Sequence, residues 1–408
     1  MPAVETFTLE GHIVDSLILP KVLDLVLESG SDYQLRDVVI GRTPTDPSRA
    51  VIEVTAPDDA TLAALAEQLL VQGANPETTG DAATAPSPAD GVAPAGFSAT
   101  TNLTTEVRVD ERWITADRAE MDCTLVVHRA DDDAVQVVTT PLHQLRSGDA
   151  VVVGAEGVRV RAAAPPRGQG SFEFMDSAVS TEKPKATQRR ALADRLRESR
   201  DAGASVLAVC GPVVIHTGGG PALARLVRAG WIQVLFAGNG FATHDIESTV
   251  LGTSLGISVA SGLGTEGGHS NHLRAINEVR RHGSIAAAVD AGWLTGGVMH
   301  ACVTEGIPFV LGGSVRDDGP LPDTETDVVA TADRMRELVE GVDVALMLAS
   351  TLHAIATGNV LPADVATYCI DINPSVVTKL SDRGSHQAHG IVTDVGPFLA
   401  QLADELGA

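Results

Sequence analysis

Residues 205–220 read SVLAVCGPVVIHTGGG, and residues 232–247 read IQVLFAGNGFATHDIE. Each opens on a short, mostly apolar run and passes straight into a Gly-rich polar segment. The pattern recurs at IPFVL (307–311) before GGSVRDDGP, VALML (344–348) before ASTLHAIATGN, ATYCI (366–370) before DINPS, and GIVT (390–393) before DVG. Apolar runs without polar alternation belong to strands covered on both faces, and the lengths between them can hold crossover helices. This part of the chain is predicted to be an α/β doubly wound parallel sheet, Rossmann-like. Open sheets of that kind bind ligands at the carboxyl ends of their strands, which is where all six runs place their Gly, Asp, Asn and His.

Working outward, the N-terminal region changes period. FTLEGHIV, DVVIG and AVIEVTA alternate as strands, while PKVLDLVLESG and TLAALAEQLLVQG carry helical spacing with Gly stops. The order β-α-β-β-α predicts a small ferredoxin-like α+β module. Residues 74–96, rich in Pro, Ala, Thr, Gly and Asp, are read as a loop or linker. TEVRV, CTLVVH, AVQVVTT, DAVVVG and GVRVRAAA then predict a β-rich middle domain, and KATQRRALADRLRESRDAG a charged helix. The expected domains are 1–98, 99–165 and 166–408.

Composition narrows the function. With 29 basic against 53 acidic residues the net charge is −24, which repels phosphate and disfavours nucleic-acid partners. Only Lys21, Lys183, Lys185 and Lys379 are lysines, a bias that fits a GC-rich or a salt-adapted source alike. Cys123, Cys210, Cys302 and Cys369 form no CxxC pair, which argues against structural zinc or a disulfide framework and fits a cytoplasmic location. No signal peptide is read at MPAVETFTLEGH. The longest stretch without Asp, Glu, Lys or Arg, residues 202–224, is broken by Pro212, Pro221 and three consecutive glycines, so no membrane span is expected.

Gly262, Gly264 and Gly267 spell GxGxxG, but third in the alternation and in a chain with 40 glycines. A dinucleotide fingerprint and a loop flanking the site both remain open. Asp371, at the end of an apolar strand, can accept from two vicinal ribose hydroxyls or cap the helix ahead of Pro374. His269 and His272 stand at i, i+3, yet lack a carboxylate at matching spacing, so no metal is expected. His244 and Asp245 are neighbours and cannot share a helix face; one can cap while the other does chemistry. Cys210 reads either as a nucleophile or as a small residue ending a buried strand. GxSxG and P-loop patterns are absent.

The segments VVIHTGG, AGNGFATHDIE, GTSLG, GGHSNHLRAIN, GSIAAAV, RDDGPLPD, STLHAIATGN and VTKLSDRG resemble the archaeal-type ornithine cyclodeaminase family. The same domain forms the C-terminal half of cyanobacterial arginine dihydrolase/ornithine cyclodeaminase fusions. TTNLTTEVRV (100–109) and SGDAVVVGAEGVRV (147–160) are similar to the region labelled LOR/SDH bifunctional enzyme conserved region. The resemblance covers nearly the whole chain. The guanidine-processing domain of the fusions has no counterpart, so arginine is not an expected substrate, and residues 75–90 match no motif.

That resemblance implies NAD in the C-terminal domain, held at Asn239, Gly240, Asp318, Ser350, Thr351, Leu352, His353, Asp371, Asp394 and Val395. The reaction it implies is L-ornithine to L-proline and ammonia: oxidation at Cα, ring closure by the δ-amine, loss of ammonia and re-reduction, with NAD returned unchanged. Candidates for acid, base and orienting roles are Asn239, His244, Asp245, His269 and Asn271. A homo-oligomer, dimer or tetramer, is expected. Two other readings stand: another NAD-dependent amino-acid dehydrogenase of saccharopine or lysine type, and a non-catalytic NAD or amino-acid sensor.

Overall fold

The computed structural model of the chain describes residues 2–11, 13–14, 18–42, 46–77, 80–130, 134–161, 185–254, 257–258, 270–317, 319–382 and 388–408. It divides into two compact units, Met1–Met175 with Leu361–Asp364, and Asp176–Val360 with Val365–Ala408. No helix among the described residues is long and apolar enough to cross a membrane.

The first unit begins with β1 (Ala3–Gly11), α1 (Ile18–Glu28), β2 (Asp32–Val39), β3 (Ser48–Ala56), α2 (Asp59–Val71) and β4 (Ala74–Pro76). The sheet order is β2-β3-β1-β4 with every pairing antiparallel, the ferredoxin-like arrangement that the element order predicts. Alternation buries Phe7, Leu9, Ile52 and Val54 on one sheet face, against Val22 and Val26 of α1 and Leu65 and Leu69 of α2. Each such side chain contributes about 1.5–3 kcal/mol on burial. Asp58 caps α2 by accepting from the Thr61 amide at 2.8 Å.

The same unit continues with β5 (Ala83–Pro86), β6 (Thr105–Val109), β7 (Arg112–Thr115), β8 (Thr124–Arg129), β9 (Val135–Thr140), β10 (Ala150–Val153) and β11 (Val158–Val160). They form two sheets, β5-β10-β8-β9 and β11-β6-β7, around Val107, Leu125, Val137 and Val152. The loop or linker expected over 74–96 is corrected here: it holds β4 in the first sheet and β5 in the second. Ala-Thr-Ala-Pro carries no apolar alternation, because β5 owes its place to backbone pairing with β10.

The second unit runs α3 (Lys185–Asp201), β12 (Ser205–Cys210), α4 (Val213–His216), α5 (Gly220–Arg228), β13 (Val234–Gly238), α6 (Asn239–Leu251), β14 (Thr253–Ser254), β15 (Ile257–Ser258), α7 (Asn271–His282), α8 (Ile285–Asp290) and α9 (Gly297–Thr304). It continues through β16 (Phe309–Gly312), β17 (Thr324–Glu325), α10 (Val328–Leu338), β18 (Val342–Leu348), α11 (Leu352–Val360), β19 (Ala366–Asp371), α12 (Ser375–Asp382), β20 (Ala388–Val392) and α13 (Val395–Leu406). Seven strands form one parallel sheet in the order β17-β16-β13-β12-β18-β19-β20. All six predicted strands are present, with β17 added at one edge. Val206 to Cys210 and Val344 to Leu348 are buried without a break, as strands covered on both faces require.

The chain winds outward from β12 to β17, then returns beside β12 and winds the other way. The order therefore reverses between β12 and β18, the position at which a crevice opens in doubly wound sheets. A Cβ on Gly211, just after β12, would overlap the carbonyl oxygen of Ala349, just after β18. Ala349 itself has φ +46°, a left-handed conformation unusual for a residue with a side chain.

Candidate active site

A polar cluster lies beyond the carboxyl ends of β12 and β13, contributed by α4, α6, β14 and α7. His244, on α6, directs Nδ1 to Glu247 Oε2 at 2.9 Å, one helical turn on. Glu247 has a fully buried side chain, and its Oε1 accepts from the Thr253 hydroxyl at 2.8 Å. The same Thr253 oxygen accepts from Asn271 Nδ2 at 2.8 Å, and Asn271 Oδ1 accepts from Arg274 at 3.1 Å. The His216 ring packs edge-on against His244 with centroids 4.7 Å apart, its Nδ1 2.7 Å from Ser254 Oγ; the His272 ring is 6.4 Å from His244. Burial, and then the neighbouring His244, push the His216 pKa down to about 4, so this imidazole is neutral at physiological pH.

Asp245 turns the other way. Both its oxygens accept from the first amides of α9, Val298 at 2.9 Å and Met299 at 2.8 Å. Burial raises its pKa to about 6, while the two amides and Arg228 hold it down. Asp245 therefore fastens α9 to α6, and no hydrogen bond among the described residues joins it to the imidazole cluster. Asn239 also works elsewhere: its Oδ1 accepts from the Leu321 amide at 2.9 Å and the Thr324 hydroxyl at 3.2 Å, holding the approach to β17. Cys210 is completely buried with its thiol pushed well up by that burial, which leaves no thiolate for nucleophilic attack. Among the described residues no group of three His, Cys, Asp or Glu side chains could hold a metal.

A second set of residues follows the strand ends along the same edge. Gly240 lies in the first turn of α6, with open space where a Cβ would stand. Ser350, Thr351, Leu352 and His353 lead from β18 into α11; Ser350 is buried, whereas Leu352 is 81 % exposed. The His353 imidazole lies over the ends of β13 and β16, so that a Cβ on Gly238 would come within 2.9 Å of its Nε2. Asp371 ends β19, and its Oδ1 accepts from the Asn373 amide at 2.8 Å. The start of α12 is held by Asn373, which accepts from both the amide and the hydroxyl of Ser375, so Asp371 is not the helix cap. Asp394 caps α13 through the Gly396 amide at 3.0 Å; Val395 buries its side chain in the core and has only backbone to offer a ligand.

Of the residues singled out in the sequence, His244 and Asn271 are brought together, through Glu247 and Thr253. Asn239 and Asp245 lie outside that network. His269, Asp318 and the GxGxxG at Gly262, Gly264 and Gly267 lie outside the described residues. Sequence reasoning missed Glu247, although its i, i+3 spacing from His244 on a helix was the available signal.

Helix N-termini, buried hydroxyls and a strand-terminal carboxylate arrayed at a reversal of strand order define a Rossmann-type ligand-binding domain carrying an imidazole–carboxylate site. Comparison with known proteins agrees on the fold. Residues 190–402 match the family model described as arginine dihydrolase ArgZ-like, C-terminal, Rossmann fold. Residues 104–188 match the first region of the same C-terminal part, and residues 4–103 the LOR/SDH bifunctional enzyme conserved region. A protein of Methanocaldococcus jannaschii named ornithine cyclodeaminase is 49 % identical over 98 % of this chain and 95 % of its own length. One of Methanopyrus kandleri with the same name is 47 % identical over 98 % and 97 %. Among solved structures, apo ArgZ, an arginine dihydrolase from cyanobacteria, aligns over all of this chain and 58 % of its own, at 38 % identity and a TM-score of 0.84. The ternary complex of AgrE with ornithine and NAD+ aligns over the same shares at 40 % identity and a TM-score of 0.54. The chain belongs to the ArgZ-like C-terminal family, together with the archaeal proteins named ornithine cyclodeaminase.

Proposed function

We propose that the chain is a redox-neutral ornithine cyclodeaminase, an ammonia-lyase that converts L-ornithine to L-proline and ammonia with NAD held along the strand ends of the second unit. The observation that carries the reading is the buried Glu247 bridging His244 and Thr253 beside that edge, in a chain 41–49 % identical to relatives named for this reaction.

The residues along the edge suit a dinucleotide. Gly240 leaves room for close approach at the start of α6. Among the described residues no donor reaches Asp371 Oδ2, which leaves that oxygen for ribose hydroxyls. The amino ends of α6 and α11 stand at the same strand-end edge, where the first amides of a helix can receive a phosphate. When bound, NAD would supply the reversible oxidation at Cα that makes this carbon electrophilic.

The remaining work falls to the chain. Ring closure needs a neutral δ-amine, and departure of ammonia needs a protonated one, so a single base that takes the first proton and returns it to the leaving amine serves both. His244 is that base: a carboxylate against Nδ1 favours the tautomer with its proton there, leaving Nε2 as the atom that takes and gives. Neutral His216 packs on the same ring and adds no second positive charge beside the cationic substrate. Asn271, tied to Thr253, orients the other side of the network. The test is incubation with ornithine and NAD: proline and ammonia in equal amounts support the reading, and net NADH without proline defeats it.

A further inference from the structure

The outer edge of β2 in the first unit meets no other strand of the described residues. Natural sheets guard such edges with Lys, Pro, inward-pointing charge or a bulge, and of these the edge of β2 carries only a bulge, at Arg36. This edge exposes Leu35 (40 %), Val38 (41 %), Val39 (52 %) and Ile40 (51 %). No Pro or Lys occurs between residues 32 and 40, and the only charges beyond Asp32 are the adjacent Arg36 and Asp37.

The ladder between β2 and β3 slips at this pair. Leu35 stands opposite Ile52 and Asp37 opposite Val51, so Arg36 is an extra, bulged residue. The bulge changes which side chains share a face. Tyr33, Leu35 and Val38 oppose Val54, Ile52 and Ala50, all on the face that α1 and α2 cover. Alternation adds Ile40 to that face. In a regular strand Leu35 and Val38 would point to opposite sides.

A strand paired with its own copy about a two-fold axis normal to the sheet keeps each face with itself. Opposing residues must therefore come from one face. With the axis between Arg36 and Asp37, Leu35 meets Val38 of the second copy, and Tyr33 meets Ile40. Both pairs satisfy the requirement only because of the bulge. At the axis Arg36, which pairs with Glu53 of its own chain, faces Asp37 of the second copy, and Asp37, 3.4 Å from Arg49, faces Arg36, so that opposite charges alternate there. The edge is self-complementary in shape of pairing, in apolar content and in charge, as an isologous interface must be.

We propose that β2 is a self-association strand: two copies of this chain pair antiparallel along it, joining their four-stranded sheets into one of eight strands. The experiment is sedimentation of the full chain and of Leu35→Lys/Val38→Lys, both sites being exposed, with circular dichroism as the check on folding. The proposal expects the folded variant to sediment at half the mass of the unsubstituted protein. A monomeric unsubstituted protein, or an unchanged mass in the folded variant, overturns it. Register is read separately by co-expressing Leu35→Cys with Val38→Cys under oxidising conditions. A disulfide dimer from the mixed sample and none from either variant alone is expected. Bridging within a single variant, or none in the mixture, overturns the register.

Discussion

His244 and Glu247 stand one helical turn apart on α6 with Nδ1 and Oε2 separated by 2.9 Å, while Asp245 between them points into the start of α9. Two acids three positions apart or fewer from one imidazole thus have unlike duties. Glu247→Gln keeps the shape but removes the charge that orients His244. We expect kcat to fall roughly 10²–10⁴-fold, the usual share of a positioned acid–base group, with NAD affinity and the thermal midpoint little changed. Steady-state kinetics beside calorimetric NAD titration checks this; equal losses in both would make Glu247 a structural residue.

Asp245→Ala should act on stability. Two α9 amides lose their acceptor, at about 1–3 kcal/mol for buried groups left unpaired. Chemical denaturation measures the loss, and an unaltered midpoint would contradict the fastening role.

Gly297→Ala tests the same joint from the other side. Gly297 has φ +87°, and a Cβ there would lie 2.7 Å from Asp245 Oδ2 and from Thr249 Oγ1. Left-handed strain and the clash together should cost roughly 1–3 kcal/mol, read as a lowered denaturation midpoint. No loss would mean that α9 moves freely away from α6.

Stability should carry opposed pH dependences. His216 has a folded pKa of about 4, below the ordinary 6.5, so its contribution is complete above 6.5 and is lost as pH falls toward 4. Asp245 has a folded pKa of about 6, above the ordinary 3.8, so its contribution is complete below 3.8 and is lost as pH rises through 6. Replacing His216 by Gln should leave stability falling with pH across that interval, and replacing Asp245 by Asn should leave it rising. Denaturant midpoints across the interval decide the signs; identical slopes in the two variants would refute the assignment.

Asp371→Ala should weaken NAD by about 1.5–3 kcal/mol, the contribution of hydrogen bonds to a charged group, and leave α12 folded because Asn373 holds its first turn. Calorimetry with unchanged far-ultraviolet dichroism is the expected result. Unchanged affinity would remove Asp371 from the ribose.

The sheet was legible because Val206 to Cys210 and Val344 to Leu348 are covered on both faces, and such burial leaves an unbroken apolar run in the sequence. β5 and β17 were not legible: Ala83–Pro86 and Thr324–Glu325 hold their places by backbone pairing, which writes no side-chain pattern. In the site, histidines and strand-end acids stood out by type and position. Thr253 did not, because its role comes from a two-residue strand that brings α6 and α7 to one oxygen. Asn239, a candidate at the start of α6, also clamps the segment before β17, a contact across 82 positions that no local pattern announces.

Ornithine carrying deuterium at Cα separates a redox-neutral cyclisation from a net oxidation. If the hydrogen taken from Cα is stored and returned to the product carbon, proline keeps deuterium at C2, with one ammonia per proline and no net NADH. Deuterium released into NADH would mark a dehydrogenase, and proline with only protium at C2 would refute the redox-neutral cycle.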